Sequence, residues 1–98
     1  MSTKNDYDAD LRMEVSARLR AVMSEFQIDG QRPLAEICDT TVSAANNWLQ
    51  GYNLPRIPEM ILLAERTGIT LDWIYRGHVG SIDVHLARRL ARQTPSFS

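Results

Sequence analysis

The chain has 98 residues, enough for one hydrophobic core but not two, so a single folded unit is expected. Its hydrophobic fraction of 44% and charged fraction of 23% are ordinary for a globular domain. No run approaches the roughly 20 apolar residues that a membrane span needs, and the polar opening MSTKNDYDAD lacks the apolar stretch of a secretory signal. The net charge of −1 counts mildly against nucleic acid, because phosphate binding usually leaves a basic footprint. Residues 1–30 hold four basic and six acidic side chains, and residues 31–98 hold seven and six, with Arg88, Arg89 and Arg92 clustered near the end. The single cysteine, Cys38, cannot close an intramolecular disulfide and suits a reducing cytoplasm, the expected compartment.

In chain order, residues 1–7 lack periodic apolar positions and are expected to form a flexible arm. From Asp8, the spacing of Leu11, Val15, Leu19, Val22 and Phe26 predicts an amphipathic helix, capped by Asp8 or Asp10 and ended by Asp29-Gly30. A second, shorter helix is predicted around Pro33 to Cys38, with proline in the first turn, where its missing N–H is not needed. Asp39-Thr40-Thr41 supplies turn and N-cap chemistry, and a third helix runs from Val42 to Gln50, where Gly51 stops it. After a loop containing Pro55, a fourth helix runs from Pro58 through Arg66, ended by Gly68. Thr70 caps a fifth, Leu71 to Arg76, ended by Gly77. A sixth begins at Ser81 or Asp83 and reaches Gln93 with Ile82, Leu86 and Leu90 on one stripe, and Pro95 and the serines after it are expected to fray. No strand alternation or repeat interrupts this pattern. The expected fold is all-α, a compact bundle of five to six helices.

Helix three carries the most information. At about 100° per residue, Ser43, Asn46, Asn47 and Gln50 share one arc, while Ala44, Ala45, Trp48 and Leu49 occupy the other side. A solvated helix face usually carries Lys and Glu. Asparagine is a poor interior helix former, so two in succession cost stability and call for an explanation. An Asn or Gln amide sets a donor beside an acceptor, matching the N6 amino group and N7 of adenine in the major groove. A surface without a role, or one that binds another protein, would account for the same residues about as well.

The surroundings favour DNA. Two short helices joined by a brief turn, the second with a polar outer face, make a helix-turn-helix unit. The stretch from Gln31 to Gly77 resembles the phage-repressor, Cro and XRE family of helix-turn-helix regulators. Leu34-Ala35-Glu36, Trp48 with Gly51, Pro55, Ala64, Gly68 and the series Thr70-Leu71-Asp72-Trp73-Ile74-Tyr75-Arg76-Gly77 carry the resemblance. It implies a lambda-repressor-like fold with residues 8–77 as the DNA-binding domain and residues 78–98 as a C-terminal helix and tail. It also implies base reading by Val42, Ser43, Asn46 and Asn47. The phosphate contacts that follow from the resemblance and from the neighbouring charge are Gln31, Arg32, Thr41, Gln50 and Arg56. The sequence departs from the family in two respects. Asp39 stands where a glycine of positive φ is usual, and Asn47, Gln50 and Tyr52 stand where relatives often carry Arg or Lys.

The remaining residues have plainer readings. Trp48 and Trp73 are expected in the core, and Cys38 as a packed thiol. His78 and His85, with one cysteine, offer no zinc spacing, and no nucleophile triad or phosphate-cradling loop is present. Neither an enzyme, a metal, a cofactor nor a small-molecule ligand is expected. Leu54, Ile57, Leu62 and Tyr75 exceed what the core needs and form a candidate homodimer surface. The C-terminal helix could pack on the core, complete a dimer or lean on DNA phosphates. The expected function is a transcriptional regulator, a repressor of phage or mobile-element type, binding double-stranded DNA at an inverted-repeat operator as a homodimer. The alternative is a helix-turn-helix scaffold acting as a protein-binding antitoxin or antiactivator.

Overall fold

Helix α1 (Thr3–Phe26) is the axis on which the other elements are assembled. The computed structural model describes residues 3–93, with side chains described from Asp8 onward; Met1, Ser2 and residues 94–98, including the tail expected to fray, lie outside them. After α1 come α2 (Gln31–Cys38), α3 (Val42–Leu49), α4 (Ile57–Thr67), α5 (Leu71–Arg76) and α6 (Val84–Gln93), with no strand among the described residues. Helix α1 packs against α3, α5 and α6, while α2 packs against α3 and α4, and α4 against α5.

The first helix is longer at its start than the sequence suggests. It begins at Thr3 and not at Asp8, so most of the expected flexible arm belongs to α1. No proline or glycine interrupts residues 3–26, so no helix breaker stops α1 from extending toward the N-terminus. Its end also differs. Gln27, at φ 57°, terminates it, with the Ile28 N–H donating back to the Met23 carbonyl at 2.9 Å. Gly30, at φ 113°, is the N-cap residue of α2 and does not close α1. Burial of Ile28 explains the earlier stop, since the turn at Gln27 folds that side chain into the core.

The core is apolar and tightly filled. Leu19, Leu34, Met60, Leu63, Ile74 and Leu90 are fully buried, with Trp48 and Trp73 beside them as the sequence predicts. Helix α6 is part of this core: Leu86 and Leu90 face inward, as does Ile82 just before the helix. Asp83 caps it, its Oδ2 accepting from the N–H groups of His85 and Leu86 at 3.0 and 3.1 Å. Arg89 pairs with Glu25 of α1, and Ser24 donates to Gln93 at 2.9 Å. Of the roles left open for this helix, packing on the core is one that it fills.

Replacing Leu90 with Ala should therefore lower the unfolding free energy by about 2–5 kcal/mol in a urea titration. A loss below about 1 kcal/mol would make α6 an appendage.

Candidate functional site

Helix α3 has only eight residues, so its position depends on what holds its ends. At the front, Asp39 adopts the left-handed conformation, φ 55° and ψ 52°, in the turn after α2. Aspartate tolerates this region better than most residues, so the turn forms without glycine. The Thr40 N–H then closes on the Ala35 carbonyl at 2.9 Å. Thr41 caps α3, its Oγ1 accepting from the Ala44 N–H at 3.0 Å.

At the far end the partners come from α1. Ser16 Oγ and Arg20 Nη2 both donate to the Leu49 carbonyl, at 2.6 and 2.7 Å, and Arg12 Nε donates to the Gly51 carbonyl at 3.1 Å. A helix leaves its last carbonyls without internal partners and gathers negative potential there, so two guanidinium groups suit the place electrostatically as well as geometrically. Gly51 is required by its backbone conformation, and the nearby Met13 side chain, exposed and flexible, adds only a contact that can shift aside. The glycine φ is 76°, and a Cβ there would stand 2.6 Å from Met13 Sδ.

Between these ends α3 shows two faces. Ala45, Trp48 and Leu49 are buried; Thr41, Ser43 and Gln50 are exposed; Val42, Asn46 and Asn47 are half-buried. The Gln31 side-chain amide donates to Asn46 Oδ1 at 2.7 Å. Gln31, expected at phosphate, thus has its side-chain N–H on a neighbouring amide. The bond leaves Asn46 Nδ2 as a donor and Gln31 Oε1 as an acceptor, so the start of α2 and the middle of α3 present one joint hydrogen-bonding unit.

Positive charge nearby is sparse. Arg32 and Arg56 are exposed, the latter 4.0 Å from Glu59. Arg76 pairs with Asp72 at 3.1 Å. Beneath, Glu59 lies in the first turn of α4, where the helix dipole favours a carboxylate. Burial, and then the Glu59 charge, push the Cys38 thiol and the Tyr75 hydroxyl each up to about 12. A thiol held protonated in this way is a packing group.

The four residues expected to form one apolar surface do not form one. Leu54, Ile57 and Leu62 are exposed, together with Tyr52 and Ile61. Tyr75 is half-buried against the core, and its hydroxyl donates to the Pro55 carbonyl at 2.7 Å. A helical wheel of α5 places Tyr75 toward solvent because it takes no account of the loop that covers that side. On α4, Ile57 and Ile61 lie one turn apart, whereas Leu62 is about 140° round from Ile57, beside Ile37, Glu65 and Arg66 at a shallow surface pocket.

Sequence reasoning missed Arg12, Ser16 and Arg20. Their spacing of four on α1 marks a polar stripe beside the apolar one, which is visible in the sequence, but their acceptors lie in another element. Among the described residues no cluster of three His, Cys, Asp or Glu side chains could hold a metal ion, and no helix is long and apolar enough to cross a membrane.

Residues 31–74, somewhat less than half of the chain, match the family model for the helix-turn-helix. No curated protein and no solved structure gives a significant match.

Substituting Gly51 with Ala should destabilise the fold by about 1–3 kcal/mol in thermal or urea unfolding. Adding Met13→Ala should restore little of the loss, because it removes the contact and leaves the strained φ. Full restoration would mean that the contact, and not the backbone conformation, demands glycine.

Proposed function

Since residues 31–74 place the chain in the Cro/C1-type helix-turn-helix family (XRE family) of DNA-binding regulators, we propose that it is a repressor of phage or mobile-element type that binds an inverted-repeat operator as a homodimer. The observation that carries this reading is the uncharged amide face of α3, where Asn46, Asn47 and Gln50 stand outside a helix firmly seated at both ends.

Base reading falls to Val42, Ser43, Asn46 and Asn47. An amide side chain can present donor and acceptor together to adenine, and Val42 can meet a thymine methyl group. The bond from Gln31 restricts the Asn46 amide before DNA arrives, so less side-chain freedom is lost on binding. Arg32 and Arg56 supply charge to phosphate, Gln50 supplies an exposed amide, and the N-terminal ends of α2 and α3, at Gln31 and Thr41, can offer backbone N–H groups.

The charge available to phosphate is low, and one short helix touches few base pairs, so two copies are needed for useful affinity and selectivity. Leu54, Ile57 and Ile61, with Tyr52, provide the apolar surface for a second copy. Tyr75 supports that surface from beneath through Pro55, and Leu62 lies outside it. A two-fold dimer of this kind places half-sites about 34 Å apart. Occupying an operator in this way represses by occlusion, in the compartment that holds the DNA, the cytoplasm.

The test uses the duplex that the protein selects from a random-sequence pool. Asn46→Ala and Asn47→Ala should each weaken binding to it by about 1–3 kcal/mol and leave binding to random DNA nearly unchanged. Sedimentation equilibrium should give two chains per duplex. Wild-type binding by both variants would remove the base-reading assignment, and one chain per duplex would remove the dimer.

A further inference from the structure

Helix α1 does more than fill the core. Arg12, Ser16 and Arg20 follow one another at intervals of four, so they form a single stripe; Ser16 and Arg20 donate to Leu49, the last residue of α3, and Arg12 to Gly51, two residues beyond it. These bonds join positions 29 to 39 residues apart in sequence. Two donors converge on the Leu49 carbonyl, which has two lone pairs, so the direction of that carbonyl is fixed as well as its distance. Ser16 is only 4% exposed, and its bond is shielded from competing water. The two arginine bonds carry charge, which strengthens them.

We propose that Arg12, Ser16 and Arg20 are positioning residues that set the pose of the recognition helix, and so determine base discrimination without touching a base. The proposal rests on the base-reading role of α3. An eight-residue helix has little stability of its own, and recognition groups must be held within about 0.5 Å of their working geometry. Asn46, Asn47 and Gln50 lie within a turn of Leu49, so a shift at that carbonyl reaches all three. Arg18 supplies an internal control. It donates in the same way to the Ile74 carbonyl at the end of α5, at 3.2 Å, away from the amide face.

The experiment compares Ser16→Ala, Arg20→Met, Arg12→Met and Arg18→Met in the full chain, with Arg20→Lys as the conservative variant. In the free protein, amide hydrogen exchange at Gln50, Gly51 and Tyr52 should rise on the order of tenfold in Ser16→Ala and Arg20→Met, with α4 and α6 amides unchanged. On the duplex selected by the wild type, discrimination against single-base variants should fall at least about fivefold, with the salt dependence of binding unchanged. Arg20→Lys should recover part of the discrimination, and Arg18→Met should lower thermal stability and leave discrimination intact.

Unchanged exchange in the last turn of α3 would overturn the proposal. So would an equal loss of discrimination in Arg18→Met, which would signify general destabilisation. If Arg20→Met weakened binding to selected and random DNA alike and reduced the salt slope by about one, Arg20 would be a phosphate contact and the positioning role would fall. Asn47→Ala, measured in parallel, separates the two levels. If it leaves discrimination unchanged, the base reading fails and the effect on specificity fails with it, while the exchange data still decide whether α1 holds α3.

Discussion

The carbonyl of Leu49 is the point on which the candidate interface depends. It ends a helix too short to persist alone, and it accepts from Ser16 and Arg20 of α1. The capping by Thr41 at the opposite end comes from the local chain, as most caps do. The far end is held instead by an element some thirty residues earlier. Other features make this contact possible. Gly51 lets the chain leave α3 with α1 close beside it, and Trp48 and Leu49 bury the inner face against the core. The outer face can then carry poor helix formers, because tertiary contacts supply what Asn46 and Asn47 withhold.

The same dependence accounts for the charge pattern. Several arginines that composition alone might assign to nucleic acid are already engaged within the protein. Arg12, Arg18 and Arg20 donate to carbonyls, Arg76 pairs with Asp72, and Arg89 pairs with Glu25. The chain can therefore hold eleven basic residues and still leave the amide face nearly uncharged. On the proposed reading, recognition by such a face rests on hydrogen-bond geometry more than on phosphate attraction, which makes rigid placement of α3 matter more than it would in a strongly basic domain.

Much of this was legible in the sequence where the cause was local. Helix α5 has the predicted bounds because Thr70 and Gly77 carry its cap chemistry in adjacent residues. Asp39 adopts the positive φ that its place in the turn demands. The amide face of α3 followed from helical periodicity alone. Boundaries set by distant burial were not legible: Ile28 draws α1 to an end at Phe26, earlier than Asp29-Gly30. Tyr75 looked exposed because its neighbour Pro55 comes from another loop. The stripe of Arg12, Ser16 and Arg20 could be seen as donors, but a sequence does not show which carbonyls lie opposite. Helix periodicity reveals faces, and only the packed structure reveals what each face meets.

The central claim is that the amide face of α3, held from α1, meets the bases. The most direct measurement is an NMR titration that follows the side-chain amide signals of Gln31, Asn46, Asn47 and Gln50 as the selected duplex is added. The account predicts that the Asn46 and Asn47 signals move most and become protected from exchange with water, with the Gln31 signal moving alongside Asn46. Shifts confined to α6 and to the apolar residues around Ile57, with these amides left in place, would contradict it.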